Sequence, residues 1–335
     1  MFELGRELTP LIDSPAQCLR TSQPFVSLIP LPAQSDPMAD HSPPVAPPPS
    51  SYPLLQALTS LVRLPNQTGT LLLLFPTLWA LVLASKGRPS VELLTIFTLG
   101  SFLMRSAGVI LNDLADRSFD RQVRRTQQRP LAKGTLTPSQ AGIFLVCILI
   151  LAATLLWFLN PLTRWLGPIA LLLAATYPFC KRFLQIPQIV LGVAFGWGSV
   201  MAWTAVTNQL ALSTWLLFFS TVSWAIVYDT IYAIQDIEDD RRIGVKSSAI
   251  FFGEYLWLGV GLAAFVMLSC LSLVGFKMNL GMGYFLCIGI CAALMMHQVI
   301  CLRAPTPPTD AFRMFQQHSW LGALILLGIF LGFRF

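Results

Sequence analysis

Apolar stretches of about 20 residues, the length that crosses a bilayer as a helix, recur from about residue 68 to the end of the chain. Short polar segments separate them. They predict nine transmembrane helices, over about 68–86, 91–115, 138–158, 164–180, 187–207, 211–235, 249–274, 279–302 and 317–333. Helices are the expected form, because backbone groups in lipid must be satisfied within the segment. The first 52 residues read differently. They hold 11 of the 24 prolines, including Pro47-Pro48-Pro49, and show no sustained periodicity. This predicts a disordered tail over 1–52 and a transmembrane domain over 53–335. The tail lacks the continuous apolar core of a secretory signal, and Met38 offers an alternative start.

Composition agrees with the pattern. Of 335 residues, 55% are hydrophobic and 11% charged, against about 25% charged in soluble proteins. The net charge of +6 then concerns topology and anionic head groups rather than nucleic acid. With nine spans, the loops after the second, fourth, sixth and eighth share one face. They carry 13 cations, against five on the opposite side, so the first face is expected to be cytoplasmic. Cys287 and Cys291 share a helix face with no acid or histidine beside them, and read as small packing residues.

Acids are less evenly spread. Eight of the 16 fall in two places. Asp113, Asp116 and Asp120 have spacing i, i+3, i+7. Asp229, Asp236 and Asp240 have spacing i, i+7, i+11, with Glu238 and Asp239 between them. Each trio would share one helical face. Both lie at span ends on the same side of the membrane. An ionised group there is costly unless paired, so the clusters predict a cation on each wall of a common cavity. A hard divalent ion such as Mg2+ suits carboxylates and phosphate oxygens. Two such ions in an apolar cavity suit the activation of a diphosphate ester. Lys181 and Arg182 are the first candidates to share the diphosphate charge, and Arg124, Arg125, Arg129, Lys133 and Lys246 can reach it from loops. Asn112 offers a neutral oxygen. Tyr228 and Tyr232 flank Asp229. Arg105, seven residues before Asn112 and so about 10 Å deeper, can neutralise a carboxylate on an acceptor or pair with Asp113 or Asp229.

The segment 112–134, NDLADRSFDRQVRRTQQRPLAKG, resembles the signature of the UbiA superfamily of intramembrane aromatic prenyltransferases. The likeness rests on Asn112, Asp116, Phe119, Asp120, Val123, Arg125, Thr126, Arg129 and Gly134. The segment 228–249, YDTIYAIQDIEDDRRIGVKSSA, is similar to the family's second aspartate region. GTLLLLFPTLWAL, FLMRSAG, YPFCKRF and PQIVLGVAFGWG resemble the branch that prenylates 4-hydroxybenzoate. The resemblance runs from about Arg63 to the C-terminus. It implies a nine-helix, all-α fold around a central cavity open sideways to lipid. It implies Mg2+-dependent transfer of a polyprenyl group from polyprenyl diphosphate to the ring carbon ortho to the hydroxyl of 4-hydroxybenzoate, in ubiquinone or plastoquinone biosynthesis. A bacterial inner membrane, with the site facing the cytoplasm, is the expected location. By position, Asn112, Asp113, Asp116 and Asp120 would form the first metal–diphosphate site, and Asp229, Asp236 and Asp240 the second. Asp113, Asp116, Asp229 and Asp236 are the expected catalytic acids. Asn112, Arg105, Lys181, Arg182, Arg125, Arg129, Tyr232 and Lys246 are the expected substrate contacts. One departure stands out: RLPNQTGT at 63–70 has Asn66 and Gln67 where the branch usually has Lys-Pro. Other acceptors, namely homogentisate, a naphthoate, a haem or a chlorophyllide, fit the branch-like motifs less well. An ion-coupled transporter would not need the 112–134 signature.

Overall fold

The computed structural model describes residues 54–334; the expected tail over 1–52 lies outside them. In chain order the helices are α1 (Leu54–Leu61), α2 (Thr68–Ala84), α3 (Val91–Ala115), α4 (Arg117–Asp120), α5 (Pro130–Lys133), α6 (Pro138–Leu156), α7 (Pro161–Cys180), α8 (Gln188–Thr207), α9 (Leu212–Ala233), α10 (Ile237–Ile243), α11 (Ser248–Phe252), α12 (Leu256–Lys277), α13 (Met282–Cys301) and α14 (Pro308–Gly332). No strand occurs among the described residues. Seven stretches among them are long and apolar enough to cross a membrane: α3, α6, α8, 212–243, 248–277, α13 and α14. Before them α2, with 17 residues, is a shorter apolar helix, and between α6 and α8 lies α7, which carries Pro168 and Pro178 inside it.

Local signals start and stop these helices. Ser90 caps α3 by accepting from the Leu93 N–H. Thr137 and Gln140 form a reciprocal capping box on α6. Asn160 caps α7, with Pro161 in the first turn where no N–H is needed. One span is interrupted and one boundary shifts. The span expected at 249–274 is found as 248–277, but its helix is interrupted: Gly253, at φ +50°, ends α11, and a 3-10 turn leads into α12 at Leu256. The last helix starts at Pro308, nine residues before the apolar run, because its first two turns carry the polar residues of the membrane edge.

Two helices end within their acid clusters, and this reshapes both. α3 stops at Ala115 and Asp116 is its C-cap, with φ −96° and ψ 8°. α9 stops at Ala233, and a 3-10 turn, Ile234–Asp236, leads into α10. Neither trio therefore stays on one continuous helical face. α8 and α9 pack closely around Gly192, where a Cβ would fall 2.8 Å from the Val222 Cα. Such small residues let helix backbones meet in lipid. Behind this contact lie Trp79 and Trp224, rings 5.0 Å apart, and the Trp79 indole donates to the Gly322 carbonyl at 3.0 Å. This fixes α2, α9 and α14 as the back wall of a central cavity.

Candidate active site

A cavity of about 1140 Å³ lies between α2, α3, α6, α7, α8, α9 and α14. Its two ends differ in chemistry. At one end the lining is Asn112, Asp113, Arg125, Arg129, Lys181, Asp229, Tyr232, Asp236, Asp240 and Lys246. From there it runs along α3 to Ile96 and Phe97, between leucines, alanines and glycines of α6, α7 and α8. Ala153 on α6 and Pro168 and Leu171 on α7 line it and are also exposed, so the cavity opens sideways between these two helices.

The polar end is knit by ion pairs between residues far apart in sequence. Lys181 Nζ donates to the Asn112 Oδ1 at 3.2 Å and to the Asp116 Oδ2 at 3.3 Å. Arg125 holds Asp236 with two nitrogens, Nε at 2.9 Å from Oδ1 and Nη2 at 2.5 Å from Oδ2. Its Nη1 donates to the Tyr232 hydroxyl at 2.7 Å. The Arg124 N–H donates to Asp239 at 3.3 Å, and Arg242 bridges Asp239 and the Gln122 carbonyl. The 121–129 loop is thus tied to α10 across the cavity mouth. Lys246 donates to the Phe183 carbonyl at 3.1 Å. Asp229 and Gln188 both line this end, and the Gln188 side-chain oxygen accepts from the Ser248 N–H at 3.1 Å.

Asp113 and Asp120 are committed differently. Asp113, 1% exposed, accepts from Arg63 Nη2 at 2.9 and 2.8 Å and from Arg129 Nη1 at 3.1 Å. Arg129 also reaches Asp120 at 2.9 Å. Burial pushes the Asp120 carboxyl above its ordinary range, and Arg129 partly offsets this. The spacing groups Asp113 with the cation-facing acids, but its carboxylate is closed between two guanidinium groups. Asp116, Asp120 and Arg182 are not in the cavity lining. Arg182 instead donates to the Ala115 carbonyl at 3.1 Å, against the C-terminus of α3 where a cation is favoured.

Arg105 faces the cavity and packs on Gly69, where a Cβ would lie 2.5 Å from its Nη2. A side chain there would displace the guanidinium. Neither of the pairings open to it in sequence, with Asp113 or Asp229, is made: no ion pair involves Arg105 among the described residues. The Lys-Pro departure becomes a turn. Gln67 donates to the Arg63 and Leu64 carbonyls at 3.0 and 3.2 Å, and Asn66 accepts from the Thr68 N–H at 3.2 Å. Sequence reasoning passed over Arg63, Gln188, Phe312 and Phe315, all in the lining. Arg63 carried a usable signal, a lone cation just before the first span; the other three carried none.

A divalent ion fits the chemistry of this end. Its donors are carboxylate and amide oxygens, without sulfur or imidazole, the set that suits hard cations. Among the described residues no three acids, histidines or cysteines already converge to metal-binding distance. The acids face lysine and arginine nitrogens instead.

The all-helical fold of the described residues, with a sideways-open cavity capped by acids and cations, defines the class as an integral membrane protein with a charged site at the end of an apolar chamber. A model of the UbiA prenyltransferase family matches residues 73–329, and the chain belongs to that family. It is 47% identical over 277 residues to the 4-hydroxybenzoate octaprenyltransferase of Tolumonas auensis, covering 82% of this chain and 96% of that one. It is 44% identical over 274 residues to the protein of the same name from Coxiella burnetii, covering 82% and 95%. The fold matches that of a UbiA homolog from Aeropyrum pernix, with TM-score 0.69 and 21% identity over 79% of this chain and 98% of that one. It also matches a UbiA homolog from Archaeoglobus fulgidus bound to GPP and Mg2+, with TM-score 0.60 and 16% identity over 83% and 100%.

Proposed function

We propose that this protein transfers a polyprenyl group from polyprenyl diphosphate to the ring carbon ortho to the hydroxyl of 4-hydroxybenzoate, in ubiquinone biosynthesis. The names of the relatives support the acceptor. The observation that carries the reading is Arg105: a guanidinium with no carboxylate partner, facing the cavity about 10 Å below Asn112 by helical rise. It suits the carboxylate of a small aromatic acid whose ring then points toward the acid-lined end.

Asn112 and Asp116, joined by Asp120 when Arg129 turns to a phosphate oxygen, would hold one divalent ion, and Asp229, Asp236 and Asp240 a second, with Mg2+ as the physiological ion. Bound there, the ions neutralise diphosphate charge and improve it as a leaving group. The chain's own cations complete that work. Lys181 and Arg125 exchange their carboxylate partners for phosphate oxygens, and Arg129 and Lys246 border the same space. The bond between the first prenyl carbon and the diphosphate oxygen breaks, and its electron pair leaves with diphosphate. The phenol ring supplies the pair for the new carbon–carbon bond, then loses its ring proton. A carboxylate of the acid-lined end that is not engaged by an ion then takes that proton. The apolar walls keep water from trapping the allylic cation. The excess of cations in the loops at the acid-bearing end supports a cytoplasmic orientation for that end, in a bacterial inner membrane.

Membranes containing the protein, given geranyl diphosphate, 4-hydroxybenzoate and Mg2+, are expected to form 3-geranyl-4-hydroxybenzoate, and EDTA to stop it. Absence of prenylated benzoate, with product from homogentisate or a naphthoate instead, would overturn the acceptor.

A further inference from the structure

The apolar arm of the cavity is asymmetric along its length. By helical rise it continues about 14 Å past Arg105, from that residue to Ile96 on α3. Ile96 and Phe97 close its end and are buried. Two glycines stand in its wall where it meets the sideways opening. A Cβ on Gly100 would lie 3.8 Å from the Leu155 Cδ1, and a Cβ on Gly167 would lie 2.5 Å from the Leu156 Cδ1. Both leucines also line the cavity. At Gly167 the missing side chain leaves Leu156 room to lie against helix backbone instead of across the arm, while at Gly100 a Cβ alone would meet Leu155 at ordinary contact and only a larger side chain would crowd it. Gly100 is 12 residues below Asn112, about 18 Å by rise, at the depth where Leu171, ten residues before Lys181, faces both cavity and lipid.

We infer that Gly100 and Gly167, through Leu155 and Leu156, set how long a prenyl tail the arm passes from the reaction end out between α6 and α7. This deepens the proposed function and rests on it. A short tail ends above these positions and does not meet them. A long tail must slide past them to reach the bilayer. Filling the glycine gaps narrows the passage and penalises long donors selectively. The two leucines are then the movable part of the gate, and shortening one compensates for the added bulk.

The test is a ratio, kcat/KM for octaprenyl diphosphate over kcat/KM for geranyl diphosphate, measured in membranes with 4-hydroxybenzoate. A ratio cancels any loss of folded protein. In Gly100→Leu it is expected to fall at least ~10-fold, the scale on which one misplaced methylene is felt in an apolar pocket. The milder Gly167→Ala is expected to lower it in the same direction, and serves if the larger change prevents insertion. Adding Leu155→Ala to Gly100→Leu is expected to restore it. An unchanged ratio in both single variants, or a double variant no better than Gly100→Leu, would overturn the inference. Failure of the proposed function looks different: the unmodified protein then makes no product from geranyl diphosphate at all.

Discussion

Arg63 and Asp113, 50 residues apart, form a pair in which one guanidinium nitrogen lies 2.9 and 2.8 Å from the two carboxylate oxygens. Arg63 sits in the turn after α1 with φ +58°, an uncommon conformation for a side-chain-bearing residue. Arg129 reaches the same carboxylate from the other side, at 3.1 Å, and continues to Asp120. The result is an alternating row, Arg63–Asp113–Arg129–Asp120, with balanced charge. It fastens α1 and the segment before α5 to the end of α3. Asp113 is thereby an anchor, and Asp116 is the acid left facing Lys181.

Removing one partner from this row strands buried charge. Asp113→Ala is expected to destabilise the protein by ~3 kcal/mol, the lower part of the range for breaking a buried pair because Arg63 is partly exposed. Thermal unfolding in detergent reads this directly. Arg63→Met with Asp113→Leu, which removes both ends of the pair, is expected to recover part of the loss. If Asp113→Ala melts like the unmodified protein, the anchor role fails.

Asp116 and Asp236 are each held by one long, withdrawable cation, Lys181 and Arg125. Asp116→Ala and Asp236→Ala are expected to lower turnover at least ~100-fold, the scale of lost electrostatic stabilisation of a developing anion, while expression and insertion stay normal. Removal of divalent metal from the unmodified protein should have the same effect, reversed by adding Mg2+. Near-normal turnover in both variants would rule out two acid-held ions.

For Arg105, Arg105→Leu is expected to raise the KM for 4-hydroxybenzoate ~10- to 100-fold, from loss of a charge-assisted hydrogen bond. The neutral amide of the same acceptor should lose its discrimination against the acid in this variant. A parallel loss with both acceptors would mean that Arg105 only supports the packing at Gly69.

The Arg125–Asp236 pair and the Arg242 bridge to Gln122 close the mouth between loop 121–129 and α10. Arg242→Ala should loosen this cap. Its amides are expected to exchange hydrogen faster than in the unmodified protein, with the difference narrowed by diphosphate and Mg2+. Unchanged exchange in loop 121–129 would show that the bridge does not hold the cap.

The membrane helices and most of the charged residues that line the cavity were legible in the sequence for a clear physical reason. Lipid offers the backbone no partner, so an apolar run of sufficient length becomes a helix whatever its neighbours. Charges are costly there, so Asp229 and Arg105 announce function by their position alone. What the linear pattern does not hold is pairing and termination. The helix break at Asp116 and the 3-10 turn before α10 come from ends that must satisfy their own carbonyls and meet the loops opposite. The choice between metal-facing and anchored aspartates depends on Arg63 and Arg129, brought in across 50 and 16 residues. Arg105 had three possible fates in the sequence. Only the packing of α2 against α3 at Gly69 decided among them, by leaving its guanidinium turned to the cavity and away from every acid. The sequence by itself determined the helices, the family and the chemical kit; tertiary contact decided which charges neutralise one another and which stay available to a substrate.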